Sequence, residues 1–232
     1  TWSPTVTGID PANSQVSITG AGAGTTTYTA QGTDVNGCIG SDTVNIYVRN
    51  ITAGTIGSNE TLCEGVIPNS ITGNVSSGGS GVFTYQWQSS SDNITWSDIT
   101  GEVATNLVFS SSLSTTTYYR RKTIDQSAEA FTNTVTITVN SKPILTIATD
   151  SGDSLLCQGN SMVLTASGAT TYSWTLGSTS LGANQAITVS PTSTTTYDVT
   201  GTSAQGCVSD PASIPISVTP APVVLVSTDY SQ

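Results

Sequence analysis

The sequence contains no histidine, a single methionine and only 5 basic residues among 232. Without histidine a Ser–His–Asp triad is impossible, and the side chain best suited to proton transfer near neutral pH is missing. Charged residues make up 9% of the chain, against about 25% in an average globular protein. The acidic residues are scattered through turns, where turn chemistry explains them. We therefore expect no catalytic site, no enzyme activity and no cofactor.

Positive charge is scarce as well, since 15 acidic residues outnumber the 5 basic ones and the net charge is −10. A nucleic-acid surface needs a basic stripe. Only Arg120, Arg121 and Lys122 are adjacent, so the sequence predicts no nucleic-acid partner. The acidic balance itself favours solubility.

Long apolar runs are absent too. No stretch reaches the roughly 20 apolar residues that a membrane-spanning helix requires, so this segment is not expected to span a membrane. The 4 cysteines form no CxxC pattern, which disfavours a zinc site. Disulfides in an oxidising compartment are the better interpretation. They predict an extracellular location.

What the chain has in abundance is repetition. The tetrapeptide Thr-Thr-Thr-Tyr occurs three times, ending at Tyr28, Tyr118 and Tyr197. Alternating apolar and polar residues surround each copy, and Gly-Cys follows the first and third copies. These matches indicate an internal repeat of roughly 80 to 90 residues. Each tyrosine is expected to bury its ring at the start of a late strand, as in a tyrosine corner.

The repeats predict an all-β chain of tandem β-sandwiches with no significant helix. Short runs with a period of two, rich in β-branched residues, alternate with Gly, Ser, Asn and Pro turns. A tryptophan precedes each repeated tyrosine, as expected for a side chain packed across a sandwich core. The predicted core and scaffold aromatics are Trp2, Trp87, Trp174, Tyr28, Tyr118 and Tyr197.

The repeats also predict domain boundaries. Residues 1–49 are the C-terminal part of repeat 1, without its first strands. Residues 50–140 form repeat 2, residues 141–219 form repeat 3, and residues 220–232 supply the first strand of a further repeat. The expected partners are neighbouring repeats of the same chain or identical copies, which complete the opened sandwiches.

Two groups of motifs resemble known surface repeats. The first comprises residues 157–166, Tyr172-Ser173-Trp174 and Gly206-Cys207; the second comprises residues 83–90 and 117–121. They resemble the Ig-like and PKD-like tandem repeats of Bacteroidota cell-surface adhesins, of the flavobacterial gliding-motility type. The resemblance implies Ig-like sandwiches, export through the type IX pathway, and an outer-membrane-anchored or secreted product. It also implies a non-catalytic structural or adhesive module of a long repetitive adhesin or filament that displays a binding tip.

Against these sister repeats, repeat 2 departs in its cysteines, because it has Cys63 but no cysteine near residues 127–130. The first choice of disulfide is Cys157 with Cys207, inside repeat 3. In a strict Ig topology these two turns lie at opposite ends, beyond the reach of a disulfide. Cys63 with Cys207, between neighbouring repeats, is the alternative. Cys38 is expected to pair with a cysteine outside these residues.

Other functions stay open beside the adhesin hypothesis. Trp96 has no counterpart in the other repeats, so it is the candidate ligand contact, together with Tyr85 or Tyr119. A carbohydrate-binding or stalk module of a secreted enzyme would use such aromatics to bind polysaccharide or another surface ligand. A filament subunit that donates the strand at residues 223–226 is a further alternative.

Surface modification and metal binding have their own candidates. Thr43 in Asp-Thr-Val and Ser154 in Asp-Ser-Leu fit the O-glycosylation pattern of Bacteroidota and are the candidate glycosylation sites. Asp150 and Asp153 are the candidate ligands if a structural calcium ion is bound. Turn formation is the competing interpretation of both aspartates.

Overall fold

In a computed structural model of the chain, the structure describes residues 2–3, 9–10, 15–16, 24–48, 50–126 and 128–223, with side chains from residue 24 onward. These residues form strands and turns, and they include no helix. The predicted all-β class is therefore confirmed. The proposed donated strand at residues 223–226 lies outside the described residues except for Val223, and so does the side chain of Trp2.

The strands are short, as expected from the frequent turn residues. Those up to residue 63 are β1 (Trp2–Ser3), β2 (Ile9–Asp10), β3 (Gln15–Val16), β4 (Gly24–Thr33), β5 (Ile39–Val48), β6 (Ile51–Thr52) and β7 (Glu60–Cys63). Next come β8 (Ser77–Gly78), β9 (Thr84–Ser90), β10 (Ser97–Asp98), β11 (Thr117–Asp125), β12 (Ala128–Phe131) and β13 (Val135–Asn140). The last are β14 (Thr146–Thr149), β15 (Leu155–Cys157), β16 (Met162–Ser167), β17 (Thr171–Leu176), β18 (Thr179–Gly182), β19 (Ala186–Val189), β20 (Thr195–Thr202) and β21 (Ala212–Thr219).

The chain divides into two compact units. The first consists of residues 1–59, 69–109 and 117–136, and the second of residues 60–68, 110–116 and 137–232. Strand β7 therefore belongs to the second unit, although the repeat pattern assigns it to repeat 2. The repeat boundaries themselves stay a prediction.

The second unit is a β-sandwich. One of its sheets has the order β14-β16-β19, and the other has the order β15-β21-β20-β17-β18. Every second residue of β16 is buried, which turns one face of that sheet toward the core. Leu164 from the first sheet and Trp174, Val199 and Ile216 from the second are fully buried in one cluster. The predicted sandwich is thus present.

Strand β7 adds a parallel pairing to the second unit. It runs beside the end of β13, from Ile137 opposite Glu60 to Asn140 opposite Cys63. Parallel strands need a long connection. Here the chain from residue 64 to residue 134 connects β7 to β13. The pairing places Cys63 at the end of β13, the last strand before the sandwich of this unit.

The first unit is built from antiparallel pairs. Strand β9 pairs with β10 and β11, and β12 pairs with β11. Strands β4 and β5 form a long hairpin from Gly24 opposite Val48 to Thr33 opposite Ile39. Smaller pairs join β1 to β4, β2 to β3, and β6 to β8. Its buried apolar side chains include Ala53, Ile56, Ile71, Trp87, Leu107 and Tyr119.

The tryptophans proposed as core residues are buried where their side chains are described. Trp87 and Trp174 are fully buried. Each indole N–H donates to a loop carbonyl, Trp87 to Ala104 at 2.9 Å and Trp174 to Asn184 at 3.1 Å. A buried indole needs such a partner. Trp87 and Trp174 thus share two features: a ring packed in an apolar core and an indole N–H that has a hydrogen-bond acceptor.

The repeated tyrosines differ from one another. Tyr28 and Tyr197 are buried, but Tyr118 is half-buried and points away from the core. The prediction that Tyr118 is a core residue is therefore corrected: Tyr119 takes the buried position, at 4% exposure. Side chains alternate along a strand, so a shift of one residue exchanges the two faces. A tyrosine hydroxyl that bonds the backbone belongs to Tyr172, which donates to the Ala169 carbonyl at 2.9 Å.

An arginine lies in the core of the first unit. Arg121 is fully buried, and its guanidinium donates to the carbonyls of Thr105 at 2.6 Å, Ala53 at 3.0 Å and Asn74 at 2.5 Å. It also lies over the Tyr85 ring, 4.2 Å from the centroid. Burial lowers the pKa of this guanidinium below its usual value. The three carbonyls belong to separate loops, so one side chain ties these loops together.

We expect Arg121→Met to lower the free energy of unfolding of the first unit by on the order of 3 kcal/mol, since it removes a charged donor from three carbonyls. Of these, the Ala53 carbonyl keeps a bond from the Ser76 hydroxyl at 3.0 Å. The measurement is urea denaturation followed by fluorescence. The neighbouring Lys122→Met is the control. Lys122 makes a surface ion pair with Glu129 at 3.5 Å, and its loss should cost at most about 1 kcal/mol. Equal losses in the two variants would contradict a structural role for the buried guanidinium.

Candidate functional site

A disulfide in the second unit joins Cys63 to Cys207, 144 residues apart in sequence. Their Cα atoms are 5.5 Å apart, within the usual range for a disulfide. This pairing was the alternative drawn from the sequence. The first choice, Cys157 with Cys207, is not formed, because Cys157 is an exposed free thiol. Cys38 is also free and exposed.

Strand geometry explains why Cys157 does not reach Cys207. Cys157 lies opposite Thr219 at the end of β21, whereas Cys207 lies in the connection that precedes the start of β21 at Ala212. The 8 residues of this strand separate its ends by roughly 20 Å. That distance is far beyond the limit of about 7 Å between the Cα atoms of a disulfide.

The surroundings of the disulfide are ordered by backbone bonds. Cys207 is fully buried and Cys63 is half-buried. The residue after Cys63 donates its N–H to the carbonyl of Asn140 at 2.9 Å. In the same unit, Lys142 Nζ lies 2.6 Å from the carboxylate of Asp210. Its hydrogen bond to Asp210 raises the pKa of Lys142, and the charge of that carboxylate raises it further.

The disulfide, which we call the staple, is a mechanical and thermodynamic element. A cross-link over 144 residues removes conformational freedom from the unfolded chain, worth about 5 kcal/mol in the chain-entropy model. It also fixes strand β7, which has 4 residues, to the connection between β20 and β21. The staple thus acts as a structural cross-link.

A second feature lies on the outer face of the first unit. The guanidinium of Arg120 stacks on the rings of Trp96, 4.3 Å from the centroid, and Phe131, 4.1 Å from the centroid. Its Nε donates to Gln88 Oε1 at 2.7 Å, and Gln88 Nε2 donates to Asp98 Oδ1 at 2.7 Å. Burial lowers the pKa of Arg120. We call Trp96, Arg120 and Phe131 the outer patch.

The aromatic row suggested by the sequence is not formed. Tyr119 faces the core, where its ring meets the edge of Phe109 with centroids 5.3 Å apart. Tyr85 lies beneath Arg121, on the same side of its strand as the core. Trp96 is half-buried on the opposite face, with Arg120. Arg120 and Arg121 point to opposite faces of β11, so Trp96, which stacks on Arg120, lies on the other side of the sheet from Tyr85 and Tyr119 and cannot line a common groove with them.

Sequence reasoning missed the other two members of the outer patch. The alternation along β11 would have turned Arg120 outward once Tyr119 was assigned to the core. Phe131 carries no such signal, because it reaches the patch through the pairing of β12 with β11, where it lies opposite Lys122. Phe131 is 44% exposed, so it is the most accessible ring of the patch.

The turn before Trp96 is organised by one carboxylate. Asp92 accepts hydrogen bonds from the Thr95 hydroxyl at 2.6 Å, from the backbone N–H groups of Ile94 and Thr95 at 2.9 and 2.8 Å, and from the Ser90 hydroxyl at 2.8 Å. The Thr95 hydroxyl is the main cause that holds the pKa of Asp92 far below its usual range. The ionised carboxylate therefore fixes the turn that positions Trp96.

The candidate glycosylation sites lie apart from both features. Thr43 is exposed in the middle of β5, and its N–H bonds the Asp42 carboxylate at 2.8 Å. Ser154 is half-buried, and its carbonyl accepts a bond from the Ser217 N–H at 2.8 Å. Nothing in this geometry tests attachment of a glycan, so both sites stay predictions.

Of the two candidate calcium ligands, Asp153 uses its carboxylate in turn bonds. Asp153 Oδ1 accepts from the Leu155 N–H at 3.2 Å and from the Ser151 hydroxyl at 3.1 Å. Among the residues described here, no three His, Cys, Asp or Glu side chains come together in a way that could hold a metal ion. The calcium site stays a prediction. In the same part of the chain, no helix has the length and apolarity to cross a membrane.

Comparisons with known proteins identify one family model. A domain of unknown function (DUF8696) matches residues 52–141, which overlap the second predicted repeat. No curated protein matches the sequence.

The chain also has distant likenesses among solved structures. The chain is similar to the N-terminal four Ig domains of Dscam1 isoform 6.9, with 9% identity over 84% of this chain and 54% of that chain and a TM-score of 0.35. It is similar to Clostridium thermocellum CbhA fibronectin(III)-like modules, at 10% identity, 79% and 100% coverage and a TM-score of 0.32. It is also similar to Drosophila OTK extracellular domains 3–5, at 13% identity, 83% and 70% coverage and a TM-score of 0.40. The chain thus spans about half of the Dscam1 fragment, and likenesses this weak carry no argument about function.

The bonding of Asp92 predicts how the Trp96 turn responds to acid. The pKa of Asp92 is lowered in the folded state. Its ionised carboxylate therefore stabilises the turn fully above its unfolded pKa of about 4, and this stabilisation is lost as the pH falls through the lower folded pKa. We expect the amide resonances of Ile94 and Thr95 to keep their folded shifts at pH values where ordinary aspartates titrate. In Asp92→Asn the acid-induced change of these amide shifts should be absent. A titration midpoint of about 4 for these shifts in the native chain would contradict a lowered pKa of Asp92.

Proposed function

We propose that the chain is a non-catalytic structural and adhesive module, a segment of a long repetitive extracellular protein that extends and displays a binding tip. The staple is the observation that carries this proposal. It joins Cys63, assigned by sequence to repeat 2, to Cys207, assigned to repeat 3. A covalent bond between consecutive repeats serves a chain that must keep its arrangement under tension.

The staple also supports the proposed location. Disulfides persist in oxidising environments such as the cell surface, and are rare in the cytosol. The resemblance to Bacteroidota adhesin repeats points the same way. We propose display on the outer surface of the cell or secretion, with neighbouring repeats or identical copies as partners and surface ligands at the tip.

A carbohydrate-binding module is the second candidate, and the outer patch is the observation that favours it. Trp96 and Phe131 present aromatic surface beside polar groups, a combination that suits sugar rings. Arg120 lies over both rings, and Phe131 keeps 44% of its surface exposed. The exposed part of Phe131 is the surface that a short polysaccharide would contact under this proposal.

Pulling a single molecule by its two ends tests the proposed function. With the staple intact, the segment between cysteines that are 144 positions apart cannot extend, so complete unfolding should lengthen the chain by roughly 500 Å less than in Cys63→Ser or under reducing conditions. Cys157→Ser leaves the staple in place and should behave as the native chain. Equal extension of the native chain and Cys63→Ser would overturn the tension-resisting arrangement proposed for the repeats.

Titration calorimetry against a panel of polysaccharides tests the second candidate. If the outer patch binds sugar, Trp96→Ala should weaken binding by about 1–2 kcal/mol, the value typical of an aromatic contact. Ile94→Ala is the matched control, because Ile94 is an aliphatic residue that is 80% exposed in the same turn, whereas the rings stacked on Arg120 belong to Trp96 and Phe131. Equal effects of the two substitutions, or no binding to any polysaccharide, would exclude this candidate.

A further inference from the structure

The two free cysteines, Cys38 and Cys157, repeat the local structure of the two cysteines in the staple. Both are exposed. The disulfide shows that a cysteine with the local structure of Cys63 bonds a cysteine with the local structure of Cys207. A free cysteine that has one of these local structures is therefore expected to bond a cysteine that has the other. The inference rests on the proposed function, since it concerns how one module joins the next.

Cys157 matches Cys63. Each cysteine ends a short strand that runs parallel to the last strand of a repeat, with Cys157 opposite Thr219 and Cys63 opposite Asn140. In both places the residue after the cysteine donates its N–H to the carbonyl of that opposite residue, at 2.9 Å. The two thiol-bearing strand ends therefore share one hydrogen-bonding frame.

The turn after each of these cysteines matches as well. In both turns the residue three positions after the cysteine donates its N–H to the cysteine carbonyl at 3.1 Å. Gly65 and Gly159, two positions after their cysteines, have φ values of 87° and 91°, a left-handed conformation that glycine adopts without strain. The backbone thus holds Cys157 in the conformation in which Cys63 is bonded.

Cys38 matches Cys207 in the same way. Each comes after a glycine in a turn that begins four residues earlier, at Asp34 and Ser203. The N–H of the first turn residue donates to the cysteine carbonyl at 2.9 Å in both turns. The N–H of the cysteine donates to the side chain of that residue, at 2.8 Å to Asp34 Oδ1 and at 3.2 Å to Ser203 Oγ. Cys38 therefore has the local structure of the other half of the staple.

Because a cysteine of the Cys63 type bonds one of the Cys207 type, Cys157 and Cys38 are complementary. We infer that Cys157 of one copy of the chain forms a disulfide with Cys38 of a second copy, which links the copies head to tail. The partner is thus a second copy of this chain, and the link is a second staple of the kind already present.

The sequence after each terminal strand supports this pairing. Residues 140–150 follow β13 and include β14, the first strand of the sandwich that contains Cys207, and residues 219–229 follow β21 in sequence. The two segments carry proline at the same offset, Pro143 and Pro222, and both end in Thr-Asp. The sequence that follows β21, the strand beside Cys157, thus resembles the sequence that follows β13, the strand beside Cys63.

The reaction is an oxidation and needs an acceptor of electrons. The two thiols lose two protons and two electrons as the S–S bond forms. A small-molecule disulfide such as oxidised glutathione takes up the electrons and is released as two thiols, through a mixed disulfide. Both free thiols are exposed, so the oxidant can reach them.

The test mixes two variants, Cys38→Ser and Cys157→Ser, in a buffer of oxidised and reduced glutathione. Each variant keeps one free thiol and the staple. We expect the mixture to give disulfide-linked dimers in several-fold higher yield than either variant alone, with a peptide cross-link between Cys157 and Cys38. Isotope labelling of one variant shows that each link joins two molecules.

A displaced thiol is the control. The triple variant Cys38→Ser/Cys157→Ser/Ser161→Cys keeps one free thiol and places it four residues further along, at another exposed position. Mixed with Cys157→Ser, which supplies Cys38, it should show no excess of mixed dimers. Homodimers formed as readily as mixed dimers, or no disulfide dimer at all, would overturn the inference. Neither result would alter the extension measured for Cys63→Ser, so the proposed function is tested separately.

Discussion

Strand alternation is the constraint on which the rest of this structure depends. Successive side chains of a strand point to opposite faces, and the chain has few strong charges with which to mark the outside. In β11 this alternation sends Tyr119 and Arg121 into the core and Arg120 outward. The core and the outer patch are therefore two faces of one strand, and each depends on the register that the other requires.

Much of the fold could be predicted from repetition and period-two patterning, as the burial of Trp87 and Trp174 illustrates. The choice between Tyr118 and Tyr119 could not, because two adjacent tyrosines satisfy the pattern equally and only packing decides between them. The disulfide was underdetermined for a related reason. Spacing places Cys157 and Cys207 in one repeat, whereas a strict Ig topology places them at opposite ends. The direction of β21 decides between these two indications, because its two ends are too far apart for a bond.

The outer patch shows where sequence reasoning ends. Trp96 was recognisable as an unmatched aromatic, but it lies in the turn before β10, whereas its stacking partner Arg120 lies on β11 and Phe131 on β12. Contacts between strands depend on pairing register, which a single sequence states only weakly. Arg121 could not be predicted as a core residue either, because burial of a cation depends on three loop carbonyls that converge only in the folded chain.

The path of covalent bonds through the staple has a consequence for damage. A protease that cuts one exposed peptide bond between Cys63 and Cys207 leaves the two pieces joined through sulfur. Exposed turns are the usual places for such cuts. A nicked molecule would thus still connect the residues before Cys63 to the residues after Cys207. The staple gives the chain continuity that does not depend on every peptide bond between its two cysteines.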